Sequence, residues 1–207
     1  MPAPSMPLFV VRDRLALVCL CATAASMLPK HIMFSFDHSS GFESVPAMYD
    51  TLVSQARSLF DGEPSHIANA ANLAALVYHT VPDLNWAGFY FYDGNELVLG
   101  PFQGKIACVR IPIGKGVCGT AAATGQAQLV PDVFAFPGHI ACDAASRSEI
   151  VIPLFRDGRL VGVWDVDSPS PQRFTLADQA GMQALCQVWL DACGSAGAQP
   201  AAGFMHR

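Results

Sequence analysis

The chain has 207 residues, 52% hydrophobic and 14% charged, with a net charge of −5. This length favours one core with appendages over two small ones, and the apolar content excludes a disordered protein. No basic run occurs, so nucleic acid is excluded as a partner, because phosphate contacts need clustered Lys and Arg.

The N-terminal segment holds an apolar run, residues 15–28, behind Arg12 and Arg14. It is too short for a transmembrane helix and matches the length of a signal-peptide core, yet Asp13 dilutes the positive flank. The other reading is an over-extended or disordered leader, with the functional protein beginning near Met33. The expected division is a leader over 1–32, a catalytic domain over 33–193 and a tail over 194–207. No membrane span is expected.

Two helices come first. Pro46 stands just inside the first, whose apolar residues Met48, Leu52 and Leu59 keep helical spacing; Pro64 and Ser65 open the second, which runs to about His79. An aromatic run from Trp86, the turn Asp93–Gly94 and a further apolar run then read as a hairpin. The stretch around Cys108, "IACVRI", reads as a strand, "KGVCGTAAATG" as a short helix and "QAQLVPD" as a short strand. A second hairpin turns at Asp157–Gly158, and an amphipathic helix capped by Thr175 closes the domain. The pattern predicts an α+β fold: a central antiparallel sheet, helices packed on one face and loops covering the other.

Seven cysteines is an odd number, and no C-x-x-C occurs, which favours a reducing compartment with most thiols free. Cys186 lies at helical spacing with Met182 and Trp189 and reads as core; Cys193, Cys19 and Cys21 carry no stronger signal. Cys108 taken alone also reads as a packed residue. Cys118 and Cys142 stand in glycine-containing turns, where backbone N–H groups at a loop or helix start would lower a thiol pKa and make it nucleophilic. His139 and Cys142 with Cys108 and Cys118 would also make a four-ligand zinc set, although structural zinc sites favour paired short knuckles, so no metal is expected. Asp165 and Asp167 alternate on one strand and leave the same face, with Glu149 on the partner strand of the hairpin. Single aspartates at strand ends are usually solvated turn formers. Three acids together can hold a cationic ammonium, and their repulsion can keep a proton on one of them for donation.

These residues carry a resemblance. "NWAGFYF", "LVLGPFQGKIACVRIPIGKGVCGTAA", "PGHIACDAASRSEIVIP" and "GVWDVDSP" are similar to the GAF-domain free methionine-(R)-sulfoxide reductases. The resemblance implies Cys142 as the attacking cysteine, Cys108 and Cys118 as recycling cysteines, and Glu149, Asp165 and Asp167 as acidic substrate ligands. Trp86 and Tyr90 would wall the S-methyl end of the substrate. It further implies reduction of free methionine-(R)-sulfoxide without a cofactor, thioredoxin as reductant, a homodimer and a cytoplasmic site. The rival is a GAF-type sensor of a small molecule or redox state, since fold does not fix function.

Overall fold

The computed structural model describes residues 41–138 and 144–194. The leader, the tail and, with them, His139 and Cys142 lie outside the described residues.

The opening helices form where the capping chemistry expects them. In α1, Val45–Phe60, the Ser44 hydroxyl accepts from the Ala47 N–H at 3.3 Å; in α2, His66–Thr80, Ser65 does the same for Ala68 at 3.2 Å. The chain then builds β1 (Trp86–Tyr92), β2 (Glu96–Gly104), β3 (Arg110–Pro112), the short helix α3 (Gly116–Thr124) and β4 (Gln128–Val130). After a single 3₁₀ turn over Val133–Ala135 come β5 (Ser148–Arg156), β6 (Arg159–Ser168) and α4 (Leu176–Gly194). Thr175 and Asp178 cap α4 reciprocally: the Thr175 N–H donates to Asp178 at 2.9 Å, and the Asp178 N–H donates to the Thr175 hydroxyl at 3.3 Å.

The six strands form one sheet in the order β3-β2-β1-β6-β5-β4, with every adjacent pair antiparallel. Both expected hairpins are present. In the β5–β6 turn, Asp157 and Gly158 have φ of 49° and 73°, the doubly positive geometry of a tight hairpin, which Asp-Gly adopts at little cost. That turn sets the register Glu149↔Asp167 and Val151↔Asp165, and β1 adds Trp86↔Asp167 and Gly88↔Asp165 from the other side.

Strand alternation then sorts the side chains to two faces. Ala87, Phe89, Phe91, Ile150, Ile152, Trp164 and Val166 point to one face and pack with α1, α2 and α4. Trp86, Tyr90, Val151 and Val163 point to the other, with Val117, Cys118 and Ala121 of α3. The second face is covered by the stretch after Gly114, within which α3 packs across β5 and β6. Its small residues, Gly116, Gly119, Ala121 and Ala122, are buried and let it lie close to the strands. Among the described residues no helix is long and apolar enough to cross a membrane.

Candidate active site

The site grows from the face that α3 covers. Glu149 on β5 and Asp165 on β6 are each 6% exposed, and Cys118, the third residue of α3, is 4% exposed. The Cys118 thiol points at Glu149 Oε1, 3.9 Å away. One ligand atom from each of the three lies within 4.8 Å of the others, so the sequence-predicted acids and this cysteine do converge. Asp167 completes the set at the more open end, cross-strand from Glu149.

Three ionisable groups this close and this buried cannot all be charged. Burial, then repulsion from Asp165 and Asp167, pushes the Glu149 carboxyl well above the usual range. Burial raises Asp165 from 3.8 to about 7, while hydrogen bonds with Cys118 and Glu149 pull part of that shift back. At neutral pH the Glu149–Asp165 pair therefore retains a proton. Asp165 Oδ1 is buried with no hydrogen-bond partner among the described residues, an acceptor waiting for a donor. The cluster thus offers a proton and an open acceptor side by side. By distance alone Cys118, Glu149 and Asp165 could equally ligate a metal ion.

An aromatic wall adjoins the acids because β1 pairs with β6. Trp86 stacks on Phe102 at 5.3 Å and on Tyr90 at 5.8 Å, with interplanar angles of 13° and 25°. Gly88, between them on the same face, leaves the space that the Trp86 ring occupies: a Cβ there would fall 2.7 Å from Trp86 and 2.4 Å from Phe102. Two polar tips of the wall reach the next loop, residues 105–109. The Trp86 indole N–H donates to the Lys105 carbonyl at 3.2 Å, and the Tyr90 hydroxyl donates to the Cys108 carbonyl at 3.1 Å. Cys108 itself is disulfide-bonded, whereas Cys118, Cys186 and Cys193 are free.

The rim is held by backbone bonds. The Asn85 N–H donates to the Asp167 carbonyl at 3.0 Å, and its amide donates to the Ser146 hydroxyl at 3.0 Å. Arg147, next in the chain, donates its N–H to Ser168, pairs with Asp132 at 3.8 Å and lies over the Phe134 ring. These contacts fix the chain where it enters β5 and brings Glu149 into place.

A GAF domain model matches residues 45–188. The free methionine-R-sulfoxide reductase of Escherichia coli K12 is 54% identical over 137 residues, which are 66% of this chain and 83% of that protein. The chain belongs to the free methionine-R-sulfoxide reductase family. The solved structure of the Neisseria meningitidis free methionine-R-sulfoxide reductase, in complex with its substrate, superposes with a TM-score of 0.71 at 42% identity, covering 76% of this chain and 96% of that one. A "GAF sensor protein" from Burkholderia vietnamiensis has the same TM-score of 0.71 at 62% identity, covering 73% and 99%. Reductases and a protein described as a sensor thus share the architecture, and the reductase relatives favour the reductase reading over the sensor.

In this member of the reductase family, Glu149, Asp165 and Asp167 come together with Cys118, and Trp86 and Tyr90 stand beside them. Cys142 lies outside the described residues. Two expectations are corrected. Cys108 is not in a strand: β3 begins only at Arg110, and Cys108 sits in the loop before it. The helix start does not activate Cys118 either, because burial and the facing carboxylates of Asp165 and Glu149 push its thiol well up, so it stays protonated. With Cys108 in a disulfide, the zinc set of four thiol and imidazole ligands is not available in this form. Phe102 and Asn85 belong to the site and were not singled out from sequence. The signal for Phe102 was its register opposite Gly88, and for Asn85 its place at the head of the aromatic strand.

Proposed function

We propose that this protein reduces free L-methionine (R)-S-oxide to L-methionine through a cysteine sulfenic acid and disulfide cycle. The observation that carries the reading is the buried cluster of Glu149, Asp165 and Cys118, which keeps a proton beside an unpartnered carboxylate oxygen and next to stacked rings. A sulfoxide reductase needs a held proton, because oxide leaves sulfur only when protonated.

The steps are as follows. The Cys142 thiolate attacks the sulfoxide sulfur while the Glu149–Asp165 pair delivers its proton to the oxygen. The hydroxyl then passes from the substrate sulfur to the Cys142 sulfur, the transient bond between the two sulfurs breaks with its electron pair staying on methionine, and Cys142 is left as a sulfenic acid. The Cys108 thiol condenses with it, releasing water and leaving a Cys108–Cys142 disulfide. The disulfide at Cys108, with Cys118 free, supports Cys108 as the first resolving partner. Thioredoxin, a dithiol, then reduces the disulfide by exchange, and Cys118 serves as a reserve thiol. Asp165 and Asp167 grip the substrate ammonium, which repays the cost of burying their charge. A methionine within a protein chain carries an amide in place of that ammonium, which accounts for a free amino acid as substrate. The cycle needs a compartment that keeps thioredoxin reduced, so the reading places the protein in the cytoplasm. The homodimer expected from the resemblance is tested by sedimentation.

The deciding experiment follows NADPH oxidation with thioredoxin and its reductase on the separated R and S epimers of free methionine sulfoxide. Wild type is expected to turn over the R epimer only, and Cys142→Ser to abolish that turnover. A folded, reduced protein inactive on both epimers would sink the reading and return the sensor to the front.

A further inference from the structure

The loop that carries the disulfide has two sides. Its inner side is fixed: Ala107 and Cys108 pack against the cluster under α3, the Cys108 carbonyl accepts from Tyr90, and the Val109 carbonyl accepts from the Leu99 N–H at 3.0 Å. Its exposed side carries two aliphatic side chains between the exposed cations Lys105 and Arg110. Ile106 is 90% exposed and Val109 is 64% exposed, so aliphatic side chains flank Cys108 at both ends of a short loop. A nearly bare isoleucine carries the hydration cost of its whole side chain, and that cost is relieved only when something covers it.

Resting on the function proposed above, we infer that Ile106 and Val109 form the docking surface for the protein dithiol that reduces the Cys108 disulfide. The chemistry chooses this occupant. A thiolate must approach one sulfur of the S–S bond along the bond axis; a new S–S bond forms to the reductant while the other sulfur leaves as thiolate, and the second reductant thiol then releases the enzyme as two thiols. Any protein that performs this step has to seat its own surface around the loop. Ile106 and Val109 are the exposed aliphatic side chains that stand nearest to Cys108 in the chain, within two residues of it. Both side chains are β-branched and stiff at χ1, and the loop beneath them is tethered, so docking costs little ordering entropy. A reductant with an apolar rim around its exposed thiol would cover the two aliphatic side chains between Lys105 and Arg110. A small dithiol can reach the sulfur without touching it.

The test compares Ile106→Ser, Val109→Ser and the double variant with wild type, each supplied with thioredoxin or with dithiothreitol. Leu176→Ser is the control, since Leu176 is 75% exposed at the head of α4, the helix on the opposite face of the sheet. We expect kcat/KM for thioredoxin to fall about tenfold in each single variant, the loss that follows from one aliphatic contact. The dithiothreitol-supported rate and the Leu176→Ser control should stay at the wild-type level. Equal losses with both reductants, an unchanged thioredoxin KM, or an equal loss in the control would each overturn the inference. So would a shift from dimer to monomer in sedimentation, which would assign the patch to a second copy of the chain. Failure of wild type with thioredoxin alone, while dithiothreitol supports turnover, would overturn the docking surface and leave the reductase reading standing. Failure with both would overturn the reductase reading itself.

Discussion

Asp165 concentrates the chemistry of the site in one side chain. It is buried, its carboxyl is raised to about 7, and one oxygen has no partner among the described residues. The sign of its effect on stability follows. Because the folded pKa lies above the unfolded value of 3.8, the folded chain holds the proton longer as pH rises. The stability that Asp165 contributes is therefore greatest below the unfolded pKa, falls as pH climbs from about 4 towards 7, and levels beyond. Asp165→Asn removes the Asp165 share of this slope and a buried charge while keeping the shape, and Glu149 keeps its own share. Urea unfolding midpoints across that window should show the variant gaining on wild type as pH rises; parallel curves would contradict the account. On the mechanism proposed above, the same variant loses part of the proton-donating pair and an ammonium ligand, so kcat/KM for the R epimer should drop about 100-fold or more.

At the scale of elements, the β1–β2 and β5–β6 hairpins make the site by register, and Gly88 is the position where that is most exposed to substitution. A methyl group there would strike both Phe102 and Trp86, and neither has an easy escape, because Trp86 is stacked on both sides. Gly88→Ala should destabilise the protein by about 1–3 kcal/mol through overpacking and should also raise the substrate KM, since the displaced ring is the wall itself. A thermal melt with substrate kinetics would check both; an unchanged melt would show that the wall yields freely. The hairpins were legible in the sequence for a simple reason. Strand alternation and Asp-Gly turns are local signals, and the acids of β5 and β6 inherit their common face from them. Cys108 and Cys118 were less legible because their settings are made at long range. The stretch around Cys108 has strand composition, yet pairing with β2 begins only at Arg110. The helix start at Cys118 is visible locally, but the carboxylates that face it arrive from strands more than thirty residues away in the sequence.

For the whole molecule, one sheet keeps two jobs apart. The face under α1, α2 and α4 holds the larger core, with Trp164, Phe89 and Trp189 in tilted contact at 4.7 and 5.0 Å. Across it, the Tyr49 hydroxyl donates to the buried Asp178 at 3.1 Å and ties α1 to α4. The opposite face holds the acids, the wall and the cysteine loop. Every described residue assigned to the site falls after Ser44, and the GAF domain match spans residues 45–188. Protein beginning at Met33 is accordingly expected to keep wild-type turnover of the R epimer. An inactive or insoluble truncated protein would show that residues 1–32 contribute to the fold.

The pairing of Glu149 with Asp167 has a wider consequence for how errors are caught. A slip of one residue between β5 and β6 would not merely misalign the acids. It would send Asp165 and Asp167 into the space where Trp164 and Val166 belong, beneath three helices, and turn the indole out among the site residues. Carboxylates enclosed there without partners would carry a penalty that no apolar contact offsets. Assembly of the hydrophobic layer therefore acts as proofreading for the reactive one: a chain that succeeds in closing its core has, by the same act, placed its acids.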